Sequence, residues 1–205
     1  MYSSKPSVIY GFHGLDKEIA LKILNQEEQF LHSNNRYDWL GQGVYFWENN
    51  LRRAERYAIQ DSQRSDSKIK DPFVLGAVLE LGNCLDLLDQ ASIEFVQEAY
   101  KVLEQDLKAL GQPMPENQSF SPSDFDFKKR ELDCAVIRQA CELAEEYEQP
   151  FDSVRAPFIE GKEIYPGAKF HSENHIQIAV INPDCIKGIF LPRESGIEVE
   201  FTESK

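Results

Sequence analysis

Long apolar runs are missing from this sequence of 205 residues. No stretch approaches the roughly 18 consecutive apolar residues that a membrane helix requires, and residues 1–6 lack the apolar core of a secretory signal peptide. These two absences predict a cytoplasmic protein without a membrane partner. The hydrophobic share of 41% and the charged share of 28% are ordinary for a globular chain, and the length suffices for one domain with a sizeable core.

Cysteine is scarce, and the four cysteines are not spaced like zinc ligands. Cys134 and Cys141 lie on one face of a predicted helix, which indicates buried thiols, although a catalytic cysteine stays open. His171 and His175 would lie roughly 13 Å apart on a strand that rises ~3.3 Å per residue, too far apart to share one ion. We therefore expect no bound metal.

Positive charge is outnumbered, because 22 Lys and Arg face 35 Asp and Glu and the net charge is −13. This balance disfavours a non-specific grip on nucleic acid, where neutralised phosphates supply most of the affinity. A local basic patch that holds a nucleic-acid substrate stays open, since Arg52, Arg53 and Arg56 lie close together. The more common interpretation of such a cluster is a solvated helix face, which we favour.

The glycine-rich motifs of Rossmann and P-loop nucleotide sites are also absent, and strands do not alternate regularly with helices. The sequence pattern instead predicts short strands near both ends of the chain and helices between them, in a mixed α+β domain. Proline-rich and polar segments predict loops at 111–126 and 149–172. The predicted strands cover 7–14, 44–47, 73–81, 175–181 and 188–191, and the predicted helices cover 17–26, 92–110 and 128–147, with another that starts at 48–50.

Two short segments combine residues that are unusual in a pure scaffold. Phe12-His13-Gly14 ends an apolar strand with a histidine, and the glycine allows the backbone to approach a ligand closely. Two glycines precede the aromatic strand of Tyr45 and Trp47, which share one strand face because successive side chains alternate. A structural histidine and core aromatic residues are the alternative interpretations.

A third segment places polar side chains along one late strand. Glu173, His175 and Gln177 would point to one face, while Ile176 and Ile178 would enter the core. A solvent-exposed strand face is the alternative interpretation.

Taken in order, the three segments resemble the NAD-dependent ADP-ribosyltransferases of the diphtheria-toxin and poly(ADP-ribose) polymerase type. That superfamily has a His on its first strand, usually followed by Gly, as in Phe12-His13-Gly14. It has a Tyr in a G-[IV]-Y-F strand that leads into a helix, as in Gly43-Val44-Tyr45-Phe46, and a Glu or another polar residue on a late strand. Tyr57 and Ala58 match a second tyrosine near an alanine at the end of that helix.

The resemblance implies a fold of split mixed β-sheets with flanking helices in one catalytic domain over 1–194. It also implies a helical insertion at about 90–148, and residues 195–205 form an acidic tail. Three further phrases resemble a bacterial branch that includes toxin components of phage-defence systems: Tyr37-Asp-Trp-Leu-Gly, Tyr45-Phe-Trp-Glu and His175-Ile-Gln-Ile.

The implied co-substrate is NAD, with no metal. By resemblance, His13 hydrogen-bonds the adenosine ribose and the Gly14 backbone holds the nicotinamide amide. Tyr45 and Tyr57 sandwich the nicotinamide ring, a geometry that suits aromatic stacking. Glycosidic cleavage passes through an oxocarbenium-like state, so catalysis consists mainly of orienting the ribose and stabilising positive charge.

The third motif position is the departure from the strongest form of the motif, which has Glu. We favour Gln177, which is centred in the apolar strand and bonds a ribose hydroxyl without carrying charge. His175 would then take the place of the residue that activates the acceptor, as a general base near neutral pH. Glu173 as the catalytic carboxylate, with His171 in the earlier place, stays open because the register is not fixed by sequence.

The segment 149–172 precedes this strand, where the superfamily places its acceptor-recognition loop. Arg155, Phe158 and Glu160 are the candidates for acceptor recognition, and an ordinary connecting loop is the alternative.

These features predict a mono-ADP-ribosyltransferase that moves ADP-ribose from NAD to a macromolecular acceptor, either nucleic acid or protein. The narrower resemblance implies a bacterial toxin or anti-phage effector with a neutralising antitoxin partner. One alternative is a catalytically inactive relative that only binds NAD or ADP-ribose. Another is an unrelated α+β hydrolase that uses Cys134 with a histidine.

Overall fold

The first strand and helix meet at a capping aspartate. The computed structural model describes residues 8–119 and 129–193, so the predicted acidic tail at 195–205 lies outside the described residues. Strand β1 (Ile9–Asp16) and helix α1 (Lys17–Leu24) form where the sequence predicts them. Asp16 caps α1 because its carboxylate accepts a hydrogen bond from the Glu18 amide.

The remaining elements confirm most of the predicted strands and helices within a few residues, and they add short strands that the sequence pattern did not predict. Within the described residues, no helix is both long and apolar enough to span a bilayer. In chain order these elements are β2 (Val44–Glu48), α2 (Leu51–Ser62), β3 (Pro72–Leu79), β4 (Cys84–Asp86), α3 (Gln90–Ala109), β5 (Asn117–Gln118), β6 (Lys129–Arg130), α4 (Glu131–Glu146), β7 (Ser153–Phe158), β8 (His175–Val180) and β9 (Ile186–Phe190).

Seven strands form one mixed sheet in the order β4-β7-β8-β2-β1-β3-β9, while β5 and β6 pair separately. This sheet and the four helices confirm the predicted mixed α+β class. β4 and β7 are parallel, and the other neighbours are antiparallel. The expected split into separate sheets is replaced by one continuous sheet, in which β1 and β2 share only two residue pairs.

Helices cover both faces of the sheet. On one face, α1 packs through Ala20 and Ile23 against the sheet residues Leu15 and Leu75. On the opposite face, α2 packs over β1, β2 and β3, whereas α3 and α4 pack over β7 and β8. Tyr45 contacts the core under α3 and α4, and the alternation of side chains puts it on the same face as Trp47 under α2. A strip of β2 and β8 therefore lies between these two helical groups.

The predicted loop at 149–172 is wrong in its first half, which contains β7. β7 pairs with β8 along its whole length and with β4 up to Arg155. Pro157 suggested a loop, but the Arg155 carbonyl accepts a bond on the β4 side, from Leu87. By alternation the missing N–H of Pro157 lies on that same side, where β4 has already ended, and no ladder hydrogen bond is lost.

Candidate functional site

The pairing of β1 with β2 stops at a histidine side chain. Tyr10 accepts a hydrogen bond from the Asn49 amide at 2.8 Å, and only two residue pairs follow. In a continued antiparallel ladder, the next hydrogen-bonded pair would be Gly14 with Tyr45. Instead, His13 Nδ1 lies 2.7 Å from the Tyr45 carbonyl oxygen. Because a carbonyl only accepts, Nδ1 carries the proton and donates it, so Nε2 of the neutral ring is an acceptor.

The pKa of His13 is lowered, so the ring is neutral near pH 7. Burial is the main cause, and the bond to the Tyr45 carbonyl opposes it. The imidazole is enclosed by two aromatic rings, with centroids 5.2 Å from that of Phe30 and 5.7 Å from that of Phe46.

Gly14 lies in the gap that the histidine opens. Main-chain groups alternate in direction along a strand, so Gly14 faces β2 as Tyr10 does, yet in the described part of the chain it has no ladder partner there. A Cβ at Gly14 would lie 2.7 Å from the Ala54 carbonyl oxygen and 3.2 Å from Tyr57 Cδ1. Glycine is therefore the residue that fits under α2, and the β1–β2 ladder ends before it reaches this residue.

Tyr45 contributes a ring rather than an ionisable group. Its hydroxyl accepts from the Leu40 amide at 2.9 Å and donates to the Gly41 carbonyl at 2.7 Å. Burial raises the pKa of this phenol well above its usual range, so the hydroxyl stays protonated near pH 7. The ring is half-buried beside the core under α3 and α4.

Tyr57 contacts Trp47 in this structure, with ring centroids 4.9 Å apart at an angle of 42°. The sequence did not single out Trp47 as a site residue, although it placed Trp47 on the same strand face as Tyr45. Tyr57 is 39% exposed, so its ring is at the surface of the site. The stacking of Tyr45 and Tyr57 on a ligand stays a prediction.

The polar residues of β8 lie next to this aromatic group. Gln177 is half-buried, and it pairs with Trp47 of β2 on one side and with Ala156 of β7 on the other. His175 lies two positions earlier on the same face of β8. Its ring is stacked on Phe158, with ring centroids 5.6 Å apart. Gln177 is therefore the member of the predicted polar row that adjoins the aromatic residues of β2 most directly.

Neither ring nitrogen of His175 is placed to take a proton from a bound acceptor molecule in this conformation. Nδ1 donates to the Glu173 carbonyl at 2.7 Å, and Nε2 is buried without a hydrogen-bond partner among the described residues. Burial lowers the pKa of His175, so the ring is neutral. The expected role as a general base would need a different conformation of this side chain.

Arg53 is buried, and the predicted solvated face is wrong for this member of the basic cluster, whereas Arg52 and Arg56 are exposed. Its Nη2 lies 2.7 Å from Glu160 Oε2 and 3.6 Å from Glu173 Oε2. The helical pattern alone did not reveal this burial, because Arg53 is adjacent to the buried Ala54 rather than three or four positions from it.

The three residues predicted to recognise the acceptor make contacts within the fold, and their role in recognition stays a prediction. Arg155 bonds Glu48 Oε1 at 2.9 Å and Asp86 Oδ2 at 3.1 Å, on the face of the sheet opposite Phe158. Phe158 is only 6% exposed and forms part of the core. Glu160 is engaged by Arg53. Arg155 and Phe158 lie in strand β7 rather than in the predicted loop, so their side chains pack within the fold.

Cys134 is not arranged as a nucleophile. Its thiol is buried, lies 3.4 Å from the Asn35 carbonyl oxygen and has a pKa that burial raises. Within 8–119 and 129–193, no group of three or more acidic, histidine or cysteine side chains is placed to hold a metal ion. The hydrolase alternative therefore lacks an activated thiol.

We expect the free energy of unfolding to fall as the pH decreases below about 6.5, the ordinary histidine pKa. The pKa values of His13 and His175 are lowered by burial, so the unfolded chain takes up protons before the folded chain does. Above the ordinary pKa both states are neutral at these positions and the contribution is constant. Urea unfolding between about pH 5.5 and 7.5 measures this slope.

The control for this prediction is His32, which is exposed. His13→Asn reduces the pH slope, and His32→Asn is the matched substitution of an exposed histidine against which it is compared. An unfolding free energy that is independent of pH over that window contradicts neutral, buried histidines.

In comparisons with known proteins, no family model, no curated protein and no solved structure matches the chain. The site at the β1–β2 junction consists of residues that converge from three strands and one helix. We call it the junction site, and its members are His13, Gly14, Tyr45, Trp47, Tyr57 and Gln177.

Proposed function

We propose that the chain binds NAD at the junction site and transfers its ADP-ribose to a macromolecular acceptor. The observation that carries this proposal is the insertion of His13 between β1 and β2, which frees the main chain of Gly14. The carboxamide of nicotinamide has an N–H donor and a carbonyl acceptor, which complement the carbonyl and amide of one glycine. His13 Nε2 accepts from a ribose hydroxyl in the same proposal.

The aromatic residues supply the walls for the nicotinamide ring. A ring bound at Gly14 would lie beside Tyr57, whose Cδ1 is 3.2 Å from the position of a Cβ there. Tyr45 offers a half-buried ring with its hydroxyl already satisfied. Offset stacking between aromatic faces contributes roughly 0.5–1.5 kcal/mol beyond the buried area.

In the proposed reaction, the bond between the ribose C1′ and the nicotinamide nitrogen breaks, and nicotinamide leaves with the bonding electrons. The acceptor nucleophile then bonds to C1′ and loses its proton to solvent. Gln177 would bond a ribose hydroxyl through its amide oxygen and orient the sugar without adding charge. An uncharged side chain at this position suits a single transfer, so we propose a mono-ADP-ribosyltransferase.

The acceptor is nucleic acid or protein in this proposal. The narrower sequence resemblance extends it to a bacterial toxin or anti-phage effector that requires an antitoxin partner.

Incubation with NAD labelled in its adenylate phosphate, together with separate pools of protein, RNA and DNA, tests the proposal. We expect label on one pool and release of nicotinamide, with both lost in Tyr45→Ala. Nicotinamide release without labelling would show NAD hydrolysis instead. Calorimetric binding of NAD without turnover would favour the inactive relative, and the absence of both binding and turnover would refute the assignment.

A further inference from the structure

The segment between β7 and β8 is a closed hairpin, which we call the connecting arm (159–174). At its neck the Glu173 amide donates to the Glu160 carbonyl at 3.0 Å, and one step further Ser172 donates to Lys162 at 2.9 Å. His171 Nδ1 donates to the Gly161 carbonyl at 3.1 Å. The tip of the connecting arm presents exposed apolar side chains at Ile164, Tyr165 and Phe170.

Two carboxylates meet at the neck of the connecting arm, and one buried guanidinium compensates them. Arg53, Glu160 and Glu173 side chains are 9%, 14% and 21% exposed. The guanidinium carbon also lies 5.6 Å from the centre of the Trp47 ring. Without the cation, two like charges would remain at a site with little water, where they repel strongly.

Among the described residues, the Arg53 guanidinium contacts carboxylates through Nη2 alone. Its Nε and Nη1 are buried and have no partner among the described residues. The side chain is therefore not part of a saturated hydrogen-bond network in α2. Its contacts run to the connecting arm, because both carboxylates belong to that hairpin.

We propose that Arg53 is a positioning residue that anchors the neck of the connecting arm to α2. Glu173 passes this constraint to His175, because its carbonyl accepts from His175 Nδ1. His175 is the first residue of β8 and lies two positions before Gln177. It is thus held in place next to the helix that carries Tyr57. The consequence for NAD turnover rests on the proposed function, whereas the anchoring does not.

Limited digestion with trypsin tests the anchoring, since Lys162 and Lys169 are exposed on the connecting arm. Arg53→Met should accelerate cleavage at these two lysines by about tenfold, because local opening limits proteolysis of a folded hairpin. Arg52→Met is the matched control, since it also removes one tryptic site from α2. Cleavage at Lys108 on α3 serves as the internal reference.

A second set of variants separates charge compensation from packing. The triple variant R53M/E160Q/E173Q removes the cation together with both carboxylates. It relieves the repulsion but still lacks the anchor, so cleavage of the connecting arm should stay faster than in the native protein. Arg53→Lys keeps the charge and should restore most of the protection. Equal acceleration at Lys108, or a triple variant cleaved as slowly as the native protein, would overturn the proposal.

Steady-state NAD turnover supplies the functional readout. We expect Arg53→Met to lower kcat by about tenfold with KM for NAD within about twofold of the native value, because orientation rather than ground-state binding is lost. Arg53→Lys should recover most of kcat. If the native protein does not turn over NAD, the proposed function fails while the proteolysis result still decides the anchoring. An unchanged kcat in Arg53→Met would refute the positioning role in turnover.

Discussion

His13→Asn is expected to lower kcat/KM for NAD by at least about 100-fold, in the range found when one preorganised polar group is removed from an active site. The amide nitrogen of asparagine occupies the place of Nδ1, so it retains the bond to the Tyr45 carbonyl. What it lacks is the acceptor at the position of Nε2. The variant therefore isolates ligand contact from the opening of the β1–β2 ladder, and a continuous assay of nicotinamide release measures it.

Two further variants frame that result. His32→Asn changes an exposed histidine and should leave turnover unchanged. His13→Ala also removes the donor to the Tyr45 carbonyl, so it should be destabilised by about 1–3 kcal/mol in addition. Turnover in His13→Asn within about threefold of the native rate would remove His13 from the proposed mechanism.

The strands of the junction site could be predicted because their signals are local. Alternating apolar residues define β1, two glycines and an aromatic run define β2, and turn-forming residues end each of them. Capping also follows from short sequence patterns. Asp16 caps α1 and Asn50 caps α2, each through a side-chain oxygen that accepts from the first helical turn.

β7 was missed because its decisive feature is non-local. Pro157 and the surrounding polar residues have the composition of a loop. The proline is tolerated only because β4 ends early and leaves its side of β7 unpaired, which depends on a strand that lies about 70 positions earlier in the chain, as the pairing of Asp86 with Arg155 shows. Propensity carries no information about such a neighbour.

The site was predicted in part for the same reason. His13 and Tyr45 stand out by motif, but the contact of Trp47 with Gln177 depends on the pairing of β2 with β8. Arg53 and Glu160 are separated by 107 positions, so no periodicity connects them. A charged residue on a helix is usually solvated, and only the strand order shows that this one lies under the connecting arm.

Arg155→Met is expected to lower the free energy of unfolding by about 3–5 kcal/mol, the cost of removing one partner from a buried ion pair. Arg155 lies between Glu48 and Asp86, and the three side chains are 14%, 13% and 4% exposed. Methionine fills most of the space but leaves two buried carboxylates without their cation. Urea unfolding at pH 7 measures the loss.

The matched control is Arg36→Met, whose cation is 84% exposed and lies 3.8 Å from Glu131, so it should cost less than about 1 kcal/mol. The comparison also decides between the two roles considered for Arg155. If Arg155 recognised the acceptor, Arg155→Met would label the acceptor less, while its free energy of unfolding stayed within about 1 kcal/mol of the native value. If Arg155 instead joins β2, β4 and β7, the main effect of Arg155→Met is a loss of stability. The structure predicts this second outcome, because the N–H groups along the edges of the guanidinium already donate to carboxylates.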